Sequence, residues 1–143
     1  MCAAHATVRG LMRELTDQPG TVVVDLDAGL ENLSRGTPRY VDTLLLVAEP
    51  YFKSMETAAR SKTLAEELGI PRIMAVANKV RGTQDEEAMR GFFARAGLPV
   101  LGVIPVDEMV LEADRLGKAP LDHDVASPAM VEITRLVDTL TPN

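Results

Sequence analysis

Aromatic side chains make up only 3% of this 143-residue chain, and tryptophan is absent. Its core must therefore be aliphatic, and stacking on nucleic-acid bases is an unsuited mode of binding. There is one cysteine, Cys2, so no internal disulfide can form, which fits a reducing cytoplasm. No apolar run approaches about 20 residues, so no membrane-spanning helix is expected. No basic segment followed by an apolar one opens the sequence, so no secretory signal is expected. The formal net charge is −6, the wrong sign for a general nucleic-acid or anionic-membrane surface. A phosphate-cradling loop of the form G-x-x-x-x-G-K-[ST] is also missing. The one Gly-Lys pair, Gly117-Lys118, has Glu112 where the motif needs glycine and Ala119 where it needs a hydroxyl.

What is present reads as one α/β domain over residues 1–143. Residues 4–17 predict a helix with Val8, Leu11, Met12 and Leu15 on one face, stopped by Pro19-Gly20. The β-branched run Val22-Val23-Val24 predicts a buried strand delivering Asp25 and Asp27 to its carboxyl end, ahead of Gly29. Further strands are expected at Val41–Ala48, Arg72–Ala77 and Val100–Ile104. Helices should follow each: from an N-cap at Ser54 to Leu68, from a capping box Thr83-Gln-Asp-Glu86 to Gly97, and from a cap at Asp107 to Leu116. Ser127-Pro128 opens a last helix, and residues 118–126 read as a surface loop. Strands separated by helices imply right-handed crossovers and a mostly parallel sheet flanked by helices.

In such a sheet the carboxyl ends of the strands share one edge, and ligands bind there. That edge would carry Asp25 and Asp27, Glu49-Pro50, Asn78-Lys79 and Pro105-Val106-Asp107. Paired acids followed by a glycine loop suit a metal–phosphate site, or are simply an acidic turn. An amide such as Asn78 can both donate to and accept from a purine edge, or merely close a turn. GTP-binding proteins place a carboxylate three residues after that asparagine. Here the position is Arg81, a donor only, so adenine is the better fit. Lys79 can lay its stem on the base or remain solvated.

These residues have a familiar order. Asp25-Leu-Asp-Ala-Gly-Leu-Glu-Asn-Leu-Ser-Arg-Gly-Thr37 resembles the switch segment of the carbon monoxide dehydrogenase maturation ATPases. Those belong to the MinD/ParA/nitrogenase-iron-protein group of deviant P-loop NTPases. Val47-Ala-Glu-Pro50, Asn78-Lys79-Val80 and Gly102-Val-Ile-Pro-Val-Asp107 continue the match, and Cys2-Ala-Ala-His-Ala-Thr-Val-Arg9 resembles the stretch after the family's Cys-x-Cys pair.

The resemblance implies ATP or ADP with Mg²⁺ as ligands, and a homodimer as the working state. Asp25 would hold the Mg²⁺ shell through water, with Asp27 near the attacking water. Gly29 would offer its N–H to the γ-phosphate. Asn78 and Lys79 would meet the base, with Pro105, Val106 and Asp107 lining its pocket. Cys2 would contribute to a Zn²⁺ or Ni²⁺ site between subunits, where one thiolate per chain supplies half of a four-ligand set. The client would be a metalloenzyme such as carbon monoxide dehydrogenase.

The sequence corresponds to the second half of the family pattern, without the P-loop strand, its lysines and the following helix. Two readings stay open. One is the C-terminal part of a metallocentre-maturation ATPase, inactive alone. The other is a P-loop-less module for protein interaction or dimerisation. A phosphoacceptor receiver domain with Asp25 as acceptor needs an acidic pair on an earlier strand, which this sequence does not have.

Overall fold

The computed structural model describes residues 2–15, 20–27 and 29–141, with backbone only for residues 2–6, 8 and 9. After helix α1 (Cys2–Leu15) come an irregular stretch at 21–27, a turn at Gly29 and the short helix α2 (Glu31–Ser34). Then come β1 (Thr43–Ala48), α3 (Phe52–Glu67), β2 (Arg72–Val80), α4 (Thr83–Arg95) and β3 (Val100–Pro105). The chain closes with α5 (Glu108–Arg115), α6 (Pro120–His123) and α7 (Pro128–Leu140).

The three strands form one parallel sheet in the order β1-β2-β3. Register runs from Thr43 opposite Arg72 to Ala48 opposite Ala77, and from Ala75 opposite Val100 to Val80 opposite Pro105. The central strand β2 is the most buried of the three, because it is flanked by a strand on each side and covered by helices. Ala75, Val76 and Ala77 are buried along it. The main core joins Ala75, Ala77 and Val80 to Leu46, Ala48, Ala58, Met89, Phe93 and Leu98. A second cluster of Leu33, Ala65 and Ile70 ties α2 to α3. On β3, α7 packs so closely that a Cβ on Gly102 would meet Leu136 Cδ2 at 2.5 Å, so only glycine fits without repacking.

The α/β class with a parallel sheet and flanking helices is as the periodicity implies, and three of the four expected strands form. The fourth is a correction. Thr21–Val24 forms no regular structure and pairs with no described strand, and Val22, Val23 and Val24 are 53%, 89% and 37% exposed. A β-branched run becomes a buried strand only when a neighbouring strand takes up its backbone groups. Among the described residues none does.

Smaller differences have local causes. The α3 helix starts at Phe52, and the Ser54 hydroxyl instead accepts from the Glu49 N–H at 3.0 Å, bracing the turn after β1. The α4 helix starts at Thr83 itself, so no capping box forms. The Asp85 carboxylate accepts from the Arg81 N–H at 3.1 Å in its place. Residues 118–126 are not wholly loop, since Pro120 opens α6. On α1, Met12 is buried but Leu11 is exposed, and the side chain of Val8 lies outside the described residues. The α3 terminus is as expected: Gly69 turns left-handed (φ 78°) so that the Ile70 N–H reaches the Ala65 carbonyl at 3.1 Å.

Candidate nucleotide site at the carboxyl edge of the sheet

Three strands end on the same edge, and hydrogen bonds hold their ends together. Pairing of β2 with β3 is irregular between Ala77 and Val80, which displaces Asn78 and Lys79 from the ladder. Lys79 adopts φ 55°, and no other non-glycine among the described residues has positive φ. A left-handed lysine costs about 1–2 kcal/mol unless its surroundings hold it. Two contacts do so. Its N–H donates to Asn78 Oδ1 at 3.0 Å, and its ammonium donates to Glu49 Oε1 at 2.9 Å. The second contact ties the end of β2 to the turn after β1. The Glu49 hydrogen bond, then its charge, holds the Lys79 ammonium above the ordinary lysine value. On the other side, the Val106 N–H donates to the Val80 carbonyl at 3.0 Å, carrying the chain from Pro105 along the same edge.

Asn78 is half-buried with its carbonyl oxygen engaged by Lys79, which leaves its amide as the donor facing outward chemistry. A purine edge offers acceptors for such a donor.

Asp107 follows Val106 but turns inward. Its Oδ1 accepts from Met109 N at 2.9 Å, capping α5, and its Oδ2 accepts from Ala129 N at 2.8 Å, within the first turn of α7. Burial alone would raise this carboxyl. The Ala129 donor, the nearby Ser127 hydroxyl and the Met109 and Val110 N–H groups outweigh it and hold the group below the ordinary aspartate value. The Ser127 hydroxyl lies close enough to contribute, yet meets no partner in full hydrogen-bonding geometry. Asp107 thus frames the edge by fixing two helices. Any lining of a base pocket at this position falls to its backbone and to Pro105 and Val106.

Asp25 and Asp27 lie exposed on the unpaired stretch. Among the described residues no hydrogen bond or ion pair joins either carboxylate to the Glu49–Lys79 edge. The Asp27 carbonyl accepts from Asn32 Nδ2 at 3.1 Å, which folds the segment back onto α2. Gly29 makes that turn at φ 106°, a conformation that favours glycine. Two uncommitted carboxylates fit the oxygen donors of a water-shelled Mg²⁺. No group of three or more metal-ligating side chains occurs among the described residues. Cys2 belongs to α1, and its side chain lies outside the described residues.

The structure therefore brings together Asn78, Lys79, Pro105, Val106 and Asp107, while among the described residues no hydrogen bond or ion pair links Asp25, Asp27 or Gly29 to them. Glu49 is the member that motif reading passed over as a site residue. Its signal was its place at the end of the strand beside the one carrying Lys79.

Comparison with known proteins gives this edge its context. The sequence pattern of the CobQ/CobB/MinD/ParA nucleotide-binding domain matches residues 6–121. An uncharacterized ATP-binding protein of Methanocaldococcus jannaschii is 39% identical over 138 residues, covering 95% of this chain and 52% of that protein. The carbon monoxide dehydrogenase accessory protein CooC of Rhodospirillum rubrum is 40% identical over 125 residues, covering 85% of this chain and 46% of CooC. The chain thus spans about half the length of the curated relatives it matches. Among solved structures, the Mg-ADP complex of the septum site-determining protein MinD from Pyrococcus horikoshii superposes with a TM-score of 0.80 at 16% identity, covering 96% of this chain and 57% of that one. MinD from Aquifex aeolicus gives 0.75 at 21% identity, covering 95% and 60%. Similar to CooC over about half of that protein's length, the chain belongs to the CobQ/CobB/MinD/ParA nucleotide-binding domain family.

Proposed function

We propose that this chain is the base-reading and switch portion of an ATP-binding unit, part of a metallocentre-maturation ATPase that assists metal insertion into an enzyme such as carbon monoxide dehydrogenase. The observation that carries this reading is the edge itself. The β2 irregularity presents Asn78 beside the Pro105–Val106 segment, and the Lys79–Glu49 pair locks the presentation. Asn78 donates to the adenine ring, Lys79 lies over it, and Pro105 and Val106 wall it. Asp25 holds Mg²⁺ through water, Asp27 stands near the attacking water, and Gly29 offers its N–H to the γ-phosphate. When bound, Mg²⁺ supplies charge neutralisation to the phosphates. Cys2 contributes to a metal site shared by two subunits of a homodimer in the cytoplasm.

Most donors to a triphosphate lie in a glycine-rich loop that this sequence does not contain. Phosphate release from Mg·ATP by this chain should stay at background, and robust release would contradict the division of the site. In a version extended to the length of the relatives, Mg·ATP should raise the melting temperature, and Asp25→Asn should abolish turnover. An absent thermal shift there would remove the nucleotide reading, and unchanged turnover would remove Asp25 from the site.

The second reading is an inactive interaction or dimerisation module. The exposed Val22–Val24 run and the open edge of β1, where Val47 is 61% exposed, favour it, because both invite pairing with another strand. Sedimentation at graded concentration separates the two. A stable dimer that ignores nucleotide supports the module.

A further inference from the structure

A second polar site lies at the other end of the sheet. Arg39 and Tyr40 precede β1, whereas Asn78, Lys79 and Val106 lie at or beyond the carboxyl ends of their strands. With Gly10 and Arg13 of α1 they line a cavity of about 190 Å³.

The two arginines place like charge on one small cavity in a chain of net charge −6. Neither makes an ion pair among the described residues, a trait they share with Arg72, Arg81, Arg95 and Arg115; lining one cavity together is what sets them apart. The acids next to them in sequence, Glu14 and Asp42, do not line the cavity. Two like charges lining one cavity repel each other, less where solvent reaches them, and an anion relieves that repulsion.

The backbone beneath them is anchored on both sides. Thr37 and Pro38 are buried immediately before Arg39, and the Val41 N–H returns to the Pro38 carbonyl at 3.3 Å. On α1, Met12 is buried immediately before Arg13.

Gly10 is the third observation. A glycine inside a helix costs roughly 1 kcal/mol relative to alanine. Such residues usually admit a close neighbour, yet a Cβ here would meet nothing within 4 Å. Among the described residues no packing requires the glycine. A ligand approaching the helix backbone would.

We infer that Arg13, Arg39, Tyr40 and Gly10 form a binding site for a small phosphate-type oxyanion, distinct from the nucleotide edge. Guanidinium groups match tetrahedral oxyanions by paired N–H donors, and the phenol adds a further donor. The volume limits the ligand. Drug-sized molecules and cofactors occupy roughly 300–1,000 Å³, so the cavity suits orthophosphate or the terminal phosphate of a small ester, with the remainder of an ester projecting into solvent.

The test is isothermal titration of the full chain with orthophosphate and, separately, with methyl phosphate. The variants are Arg13→Ala, Arg39→Ala and Gly10→Leu, with circular dichroism to confirm folding. The side chain added by Gly10→Leu enters open space, so this variant should keep the fold intact while filling the cavity. Arg13→Ala alters an exposed helix face, so it stands even where Arg39→Ala disturbs its loop. Saturable binding by the parent chain, weakened at least about tenfold by Arg13→Ala and by Gly10→Leu, is the expected result. Tighter binding of methyl phosphate assigns the site to a phosphorylated small molecule, and tighter binding of orthophosphate to the free ion. No saturable binding of either probe overturns the inference. So does binding that folded Arg13→Ala and Gly10→Leu variants leave unchanged.

Discussion

Replacing Asp107 with alanine should destabilise the chain more than any other single change at the carboxyl edge. The carboxylate is 9% exposed and accepts from two helix starts at once, at 2.9 Å from Met109 N and 2.8 Å from Ala129 N. Loss of an N-cap costs about 1 kcal/mol, and a charge-assisted bond to a buried N–H contributes about 1.5–3 kcal/mol. Ala129 is buried, so its N–H would find no water in exchange. The two losses together come to about 2–4 kcal/mol, or a fall in melting temperature of about 5–15 °C for a chain of this size. Asp107→Asn keeps one accepting oxygen and should lose about half as much.

The acid limb gives an independent readout. The folded-state pKa of Asp107 is held below its unfolded value, so between the two values the unfolded chain binds more protons. This contribution is present above the unfolded pKa and disappears as pH falls through the folded one. Urea melts read by circular dichroism, at neutral pH and at steps below about pH 4, measure both effects. The variant should show a shallower loss of stability in acid than the parent. An Asp107→Ala melting temperature within about 1 °C of the parent, or an identical acid slope, would refute the double-cap reasoning.

Two further outcomes follow from other parts of the chain. Glu49→Gln should return the Lys79 ammonium toward the ordinary lysine value, followed by ¹³Cε shifts through an alkaline titration; an unmoved midpoint would remove the Glu49 contact as the cause of the shift. Val23→Ser should change stability by less than about 0.5 kcal/mol, because its side chain is 89% exposed. A loss of about 1 kcal/mol or more in a urea melt would mean that the 21–27 stretch is paired after all.

The Glu49–Lys79 pair shows why part of the candidate site was legible and part was not. Asn78-Lys79 at the end of an apolar run could be read as a strand end on the ligand edge, since period and composition place it there. Its left-handed backbone and its tie to Glu49, 30 residues away, depend on how β1 and β2 align. Asp107 was legible as a helix cap for α5, because the N-terminus it caps is local. Its second partner, 22 residues on in α7, was not. Ser127-Pro128 marks the start of α7, yet the Ala129 N–H there donates to a carboxylate from another part of the chain.

The sequence alone determined the parallel α/β class, the alternation of its three paired strands with helices, and the family, because periodicity, turn residues and local motifs are properties of neighbouring positions. Tertiary structure decided the fate of the valine run at 22–24. Its composition favours a strand, but a strand exists only with a partner, and none of the described residues provides one. Tertiary structure also decided which polar ends meet: Glu49, Asn78, Lys79 and Val106 are joined by register and hydrogen bonds, while among the described residues no hydrogen bond or ion pair joins Asp25 or Asp27 to them. Whether distant side chains meet depends on strand alignment and helix packing, and these are set by the core as a whole.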